Sequence, residues 1–335
     1  MRNINFCSSI ELNEALWLVT KNGFLMKYDY KNNIAKYVID KNNTVIKFER
    51  VYDKIIAYDD KLYFMEVDAS IFYEYDIKTN EYYCYSMPEM EMINWRCFSG
   101  IYLYENKIFL FGKRVGKICY FDINKKDFTC IFSSDNRVTN YSVEIDNKIY
   151  LASGEKIISY NMDSLCFEQT YILEDEIMWI NNYNNSIFSI LKNGNILEFN
   201  ITTSETKNIY IDPNSAMSFS RCFITKNKIF VFPFAAEHIG IIDRSTGKLS
   251  YVDEPDDINY YKSDWSKYGE YSECLSHIWI ANRISNYAVL IEKNTEKLLW
   301  LQMRAEDLRN IFAYIKNDVF DEETYTLSEF LYAIS

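Results

Sequence analysis

Seven times along this chain of 335 residues, a polar turn is followed by an apolar-aromatic doublet that opens a short strand. The doublets are Leu16-Trp17, Leu62-Tyr63, Ile108-Phe109, Ile149-Tyr150, Ile187-Phe188, Ile229-Phe230 and Ile278-Trp279. They recur at intervals of 46, 46, 41, 38, 42 and 49 residues. A self-similar unit of this length, strand-like throughout, is the mark of a β-propeller blade.

A second landmark keeps step with the first. Each doublet strand is followed by another that ends in a large apolar residue and a turn-forming polar one: Tyr28-Asp29, Tyr75-Asp76, Phe121-Asp122, Tyr160-Asn161, Phe199-Asn200, Ile242-Asp243 and Ile291-Glu292. Asp and Asn suit this place because their side chains cap the amide donors of a tight turn. The apolar residue before them is expected in the core between blades. The third unit reads as four strands, Trp95 to Tyr104, Ile108 to Gly112, Lys117 to Phe121 and Asp127 to Phe132. A four-stranded unit cannot bury both of its faces alone, so the units must pack radially. The first unit has its own opening strand at Asn3 to Ile10 and the last its own closing strand at Lys297 to Met303, so closure needs no exchanged strand. The expectation is an all-β, seven-bladed β-propeller of four-stranded antiparallel blades over residues 1–303.

Residues 304–335 differ in kind. Leu308, Ile311, Phe312 and Ile315 have helical spacing, and Thr326-Leu327-Ser328-Glu329 reads as a capping box opening a last short helix. Eight residues do not hold a helix alone. This helical C-terminal extension must therefore dock, on its own propeller or on a partner through Phe330 and Leu331.

The composition fits this picture. Twenty-nine Tyr and 22 Phe favour strands, and with only 4 Pro and 9 Gly the turns fall to Asn, Asp and Lys. The net charge of −12 repels polyanions at long range, so neither nucleic acid nor an anionic membrane is expected as a partner. No apolar stretch with a small-residue cleavage site follows Met1 to Phe6, so no signal peptide is expected. The eight cysteines are scattered without a CxxC pair and read as free thiols in a reducing cytoplasm. With two histidines in all, His238 and His277, neither a metal nor a cofactor is expected.

The offsets within the units resemble those of kelch repeats, whose blades carry an Arg about twelve residues before the doublet. Arg50, Arg96 and Arg137 precede Leu62, Ile108 and Ile149 by twelve residues each. Tyr75-Asp76 followed by Lys78-Thr79-Asn80 matches the kelch landmark. The chain departs from the pattern in lacking the Gly-Gly that ends the doublet strand, with Gly112 alone surviving in the third unit. Arg221 stands eight residues before Ile229. The resemblance spans about 300 residues and implies the propeller fold, which hosts binding modules and enzymes alike.

Candidate sites lie where the repeat is uneven. Arg50, Arg96 and Arg137 share one register near the expected mouth of the central channel and could hold a carboxylate or phosphate bidentately. Alternatively, each pairs with acidic residues of its own or the next blade. The connection from Asp253 to Glu270 carries Tyr260, Tyr261, Trp265 and Tyr268, aromatics suited to a partner surface or to covering the edge of their own blade. No nucleotide-binding, metalloprotease or serine-hydrolase motif is present, and no catalytic residue is nominated. The sequence thus favours a non-enzymatic scaffold for a protein or peptide. The alternative is a site for a small anionic sugar at the arginine cluster, since some kelch-like propellers isomerise sialic acid.

Overall fold

The computed structural model describes residues 2–3, 6–20, 23–42, 45–48, 54–65, 71–91, 93, 97–133, 137–212, 218–234, 238–258, 268–274, 276–282, 285 and 287–306. Two compact units are present, Met1–Met87 with Pro255–Ser335, and Pro88–Glu254. Among the described residues there are seven sheets, antiparallel but for one parallel pairing in the six-stranded one, and no helix.

Each doublet lies in the second strand of its sheet, and both of its residues are buried. Successive strand residues point to opposite faces, so both faces of every blade are covered. The core clusters show by what. Within each unit, the aromatic member of one doublet packs with the aliphatic member of the next doublet and with that blade's landmark residue. Within Pro88–Glu254 the sets are Phe109 with Ile149 and Tyr160, Tyr150 with Ile187 and Phe199, and Phe188 with Ile229 and Ile242. In the other unit Trp17 packs with Leu62 and Tyr75, and Trp279 of blade 7 with Leu16 and Tyr28 of blade 1. The doublets are the inter-blade core itself.

The junction of blades 7 and 1 has more than the sequence predicts. Blade 1 has its own four strands from Phe6–Leu12 to Ile34–Tyr37, and blade 7 has Tyr268–Glu273 to Lys297–Gln302. The chain then continues as a further strand, Arg304–Ala305, which pairs in parallel with blade 1 at Ala35. Arg2–Asn3 pairs antiparallel beyond it, giving a six-stranded sheet. The helical reading from residue 304 is therefore corrected at its start. Met303 and Ala305 are fully buried and the Glu306 side chain accepts from the Tyr37 amide at 2.8 Å, which anchors the segment to blade 1. Phe330, Leu331 and the rest of 307–335 lie outside the described residues.

One end of each blade is nearly invariant. Five of the seven turns between first and second strands have two residues, and in these the first has positive φ, as at Asn13, Asp59, Glu105, Asp146 and Asn184. In the turns between third and fourth strands the landmark Asp or Asn accepts two backbone amides. Asp76 takes those of Lys78 and Thr79 at 2.9 and 3.1 Å, and Asn200 those of Thr202 and Thr203 at 2.9 and 3.0 Å. Asp29, Asp122, Asn161 and Asp243 repeat the arrangement. In blade 7 the longer Glu292 instead receives the Thr295 hydroxyl. The two turns of a blade are also tied together, for example by Ile123 N–H to Asn106 O and Ile201 N–H to Asn185 O, at 2.9 and 3.0 Å.

The cysteines require a correction. Cys119 and Cys130 face each other across the third and fourth strands of blade 3 and form a disulfide. The expectation of eight free thiols fails for this pair, and the argument for a reducing compartment loses their support.

Candidate functional site

In an antiparallel four-stranded blade, the tight turns lie at one end. The loop between second and third strands and the connection to the next blade lie at the other. Of the candidates from the sequence, Arg137 and Tyr268 fall within the described residues. Arg50, Arg96, Tyr260, Tyr261 and Trp265 lie outside the described residues. Tyr268 is corrected: it begins the first strand of blade 7 and is 1% exposed, so it is core and not a contact aromatic. The polar, aromatic-rich stretch before it hid the start of the strand. Arg137 is half-buried, and its carbonyl accepts from Val115 N–H at 2.9 Å.

That bond joins Arg137 to a group the sequence reading passed over. Lys113 and Arg114 in the turn between the second and third strands of blade 3, and Lys117 at the start of the third strand, form the densest basic run available as a signal. They surround a cleft of about 230 Å³ whose walls include Met90, Glu91 and Phe132. Arg114 grips the Glu91 carboxylate with Nε at 2.5 Å and Nη2 at 3.1 Å. This hydrogen bonding holds the Glu91 carboxyl below the usual carboxylate range. Lys117 donates to the Glu89 carbonyl and places Nζ 5.7 Å from the centre of the Phe132 ring. Lys113 Nζ donates to Asn140 O at 2.9 Å. Gly112 permits the close fit, because a Cβ there would stand 2.9 Å from Lys117 O and 3.0 Å from Met90 Cε. In a chain of net charge −12, three cations and one carboxylate among the lining residues form a local reversal of sign. The lining is suited to holding a carboxylate beside an apolar group.

Lys113 also begins a ladder across four blades. Its Nζ lies 5.7 Å from the Tyr141 ring centre, Tyr141 packs on Trp179 at 4.6 Å, and Arg221 Cζ lies 4.7 Å from the Trp179 ring. Both cations are buried against ring faces, where the aromatic quadrupole attracts them. Trp179 Nε1 is buried with no acceptor among the described residues.

A third feature is periodic. Phe132, Ile172, Ile211 and Tyr251 are 72, 69, 66 and 59% exposed. They stand at intervals of 40, 39 and 40 residues, each at the end of the fourth strand of blades 3, 4, 5 and 6 or one residue beyond it. All four lie at the same end of their blades as the basic cleft.

Solved structures with this arrangement of sheets include a streptogramin B lyase, with a TM-score of 0.60 and 14% identity, covering 84% of this chain and 92% of that one. The computationally designed Ika8 protein has a TM-score of 0.60 at 10% identity, covering 91% and 90%. BamB from Moraxella catarrhalis has 0.55 at 12%, covering 82% of each chain. The fold is a seven-bladed β-propeller. At these identities the likeness establishes that much and no more, since one neighbour is by its name a lyase and another a designed protein. No family model and no curated protein matches the sequence.

Proposed function

We propose that the chain is a polypeptide-binding scaffold that engages its partner along the fourth strands of blades 3 to 6, at the end that carries the long connections. The observation that carries this is an exposed apolar residue at the end of the fourth strand, or one residue beyond it, in each of blades 3 to 6: Phe132, Ile172, Ile211 and Tyr251. Single exposed apolar residues are ordinary; four in one register along edge strands form a line that a partner can follow. Blade 1 supplies the precedent. Its fourth strand, Ile34–Tyr37, already carries an added parallel strand from the chain's own residues Arg304–Ala305. A kelch-like origin of the blades belongs to the same reading, resting on the arginine offset and the Tyr75-Asp76 landmark. The test replaces Phe132, Ile172, Ile211 and Tyr251 together with Ser. Loss of a partner captured by the unaltered chain, with an unchanged melting temperature, supports the proposal. Retention of every partner ends it.

A second reading, a site for a small anionic sugar, is favoured by the buried cations of the ladder and the Trp179 Nε1 donor beside them. Sialic acid and related sugar acids should then raise the melting temperature, and the rise should vanish in Arg221→Met. No rise with any sugar acid removes this reading.

A further inference from the structure

The segment Glu89–Glu91 lies against blade 3 without joining its sheet. Three contacts hold it. Lys117 takes the Glu89 carbonyl, Met90 is buried beside Gly112, and Arg114 takes the Glu91 carboxylate through two nitrogens. The loop after the second strand therefore already binds an acidic-apolar-acidic peptide, and that peptide belongs to the chain itself. The Arg114–Glu91 pair is open to water, with side chains 40 and 54% exposed, and such a pair resists exchange only weakly. Beside it the cleft of about 230 Å³ lies below the roughly 300–1,000 Å³ of sites for whole small molecules. It is large enough for one side chain. Phe132 stands at its edge with an exposed ring flanked by Lys117.

We propose that this cleft is the docking site for an acidic side chain of a partner polypeptide, and that Glu91 is the resident stand-in which the incoming carboxylate displaces from Arg114. The proposal rests on the scaffold reading and names the chemistry of one contact within it. A guanidinium fork prefers a carboxylate to an amide of the same shape, because the planar pair forms two parallel charge-assisted bonds. The residue next to the acid packs its apolar side chain on Phe132. The net charge of −12 sets the upper limit on acidity. A polyanionic stretch is repelled at long range, whereas one acid between apolar neighbours meets the local positive field.

The probe is the chain's own motif as a separate peptide, acetyl-Pro-Glu-Met-Glu-Met-amide, titrated into the full chain and into Glu91→Gln. Glu91→Gln should bind it about two- to fivefold more tightly, the gain expected when an exposed ion pair no longer competes. Adding Arg114→Gln should weaken binding about tenfold or more, and Arg114→Lys, which keeps the charge but loses the fork, should fall between. The peptide with Gln in place of both Glu residues should not bind. If a free C-terminal acid restores binding to that Gln peptide, the site reads terminal carboxylates and the side-chain assignment is overturned. Equal binding of the Glu and Gln peptides, or indifference to Arg114→Gln, also overturns it. The two proposals fail separately. A chain that still captures its partner through the exposed apolar line but binds no peptide refutes the cleft alone. A chain that binds the peptide while the fourfold Ser variant keeps every partner refutes the line alone.

Discussion

The two ends of a blade are built by different rules. At one end, turn lengths, left-handed residues and Asx caps recur from blade to blade, with a Glu292–Thr295 contact replacing the cap in blade 7. At the other lie the basic cleft, the exposed apolar line and Arg137. The middle of the blade serves both ends, since the doublets bury its two faces. A blade built this way keeps its geometry at the repeated end and in the core, while the opposite end differs from blade to blade. The difference also suggests where a substitution should cost stability and where it should cost binding.

The largest effect is expected in the part both ends share. Phe188 is fully buried between blades 5 and 6, against Ile229 and Ile242. Phe188→Ala should lower unfolding stability by about 3–5 kcal/mol, the usual result of emptying a packed aromatic site. Urea denaturation measures it. A loss below about 1 kcal/mol would mean that the blades do not depend on this interface, and the division of labour would lose its foundation.

The next pair compares the ends directly. Asn200→Ala removes the acceptor for the Thr202 and Thr203 amides and should cost about 1 kcal/mol, as loss of a capping side chain does. Ile172→Ser, at the opposite end of blade 4, should stay within about 0.5 kcal/mol because its side chain already meets water. Equal costs at the two positions would break the comparison.

The repeated end and the core are also what the sequence makes legible. Doublet and landmark spacings follow from strand length and from the packing of one blade on the next, and an Asx cap needs only its own turn. These are local rules, so Leu62-Tyr63 or Phe199-Asn200 can be read in isolation. The opposite end obeys no such rule. Lys113, Arg114 and Lys117 become a site only when Glu89–Glu91 folds across Gly112, and Arg137 reaches them through a backbone bond to Val115. Cys119 and Cys130 are eleven residues apart, and only the strand register brings them face to face. Phe132, Ile172, Ile211 and Tyr251 look like ordinary strand residues until exposure is known.

The smallest expected effect probes the repeated end by pH. The Asp243 carboxyl is lowered from 3.8 to about 2, by the hydrogen bond from the Ser245 side chain and then those from the Thr246 amide and hydroxyl. A carboxyl depressed by folding adds stability above its unfolded value, and that contribution disappears as the pH falls through its folded value. The Asp243 contribution is therefore complete near neutrality and is lost between about pH 4 and pH 2. Asp243→Asn keeps an acceptor for the turn, as Asn161 and Asn200 do in blades 4 and 5. The variant should match the unaltered chain at pH 7 and lose less of its melting temperature on acidification. Because the group is exposed, the difference should be small and shrink further with added salt. An identical acid profile in both chains would mean that the cap works as a neutral acceptor, and that the choice between Asp and Asn at this landmark is a matter of shape alone.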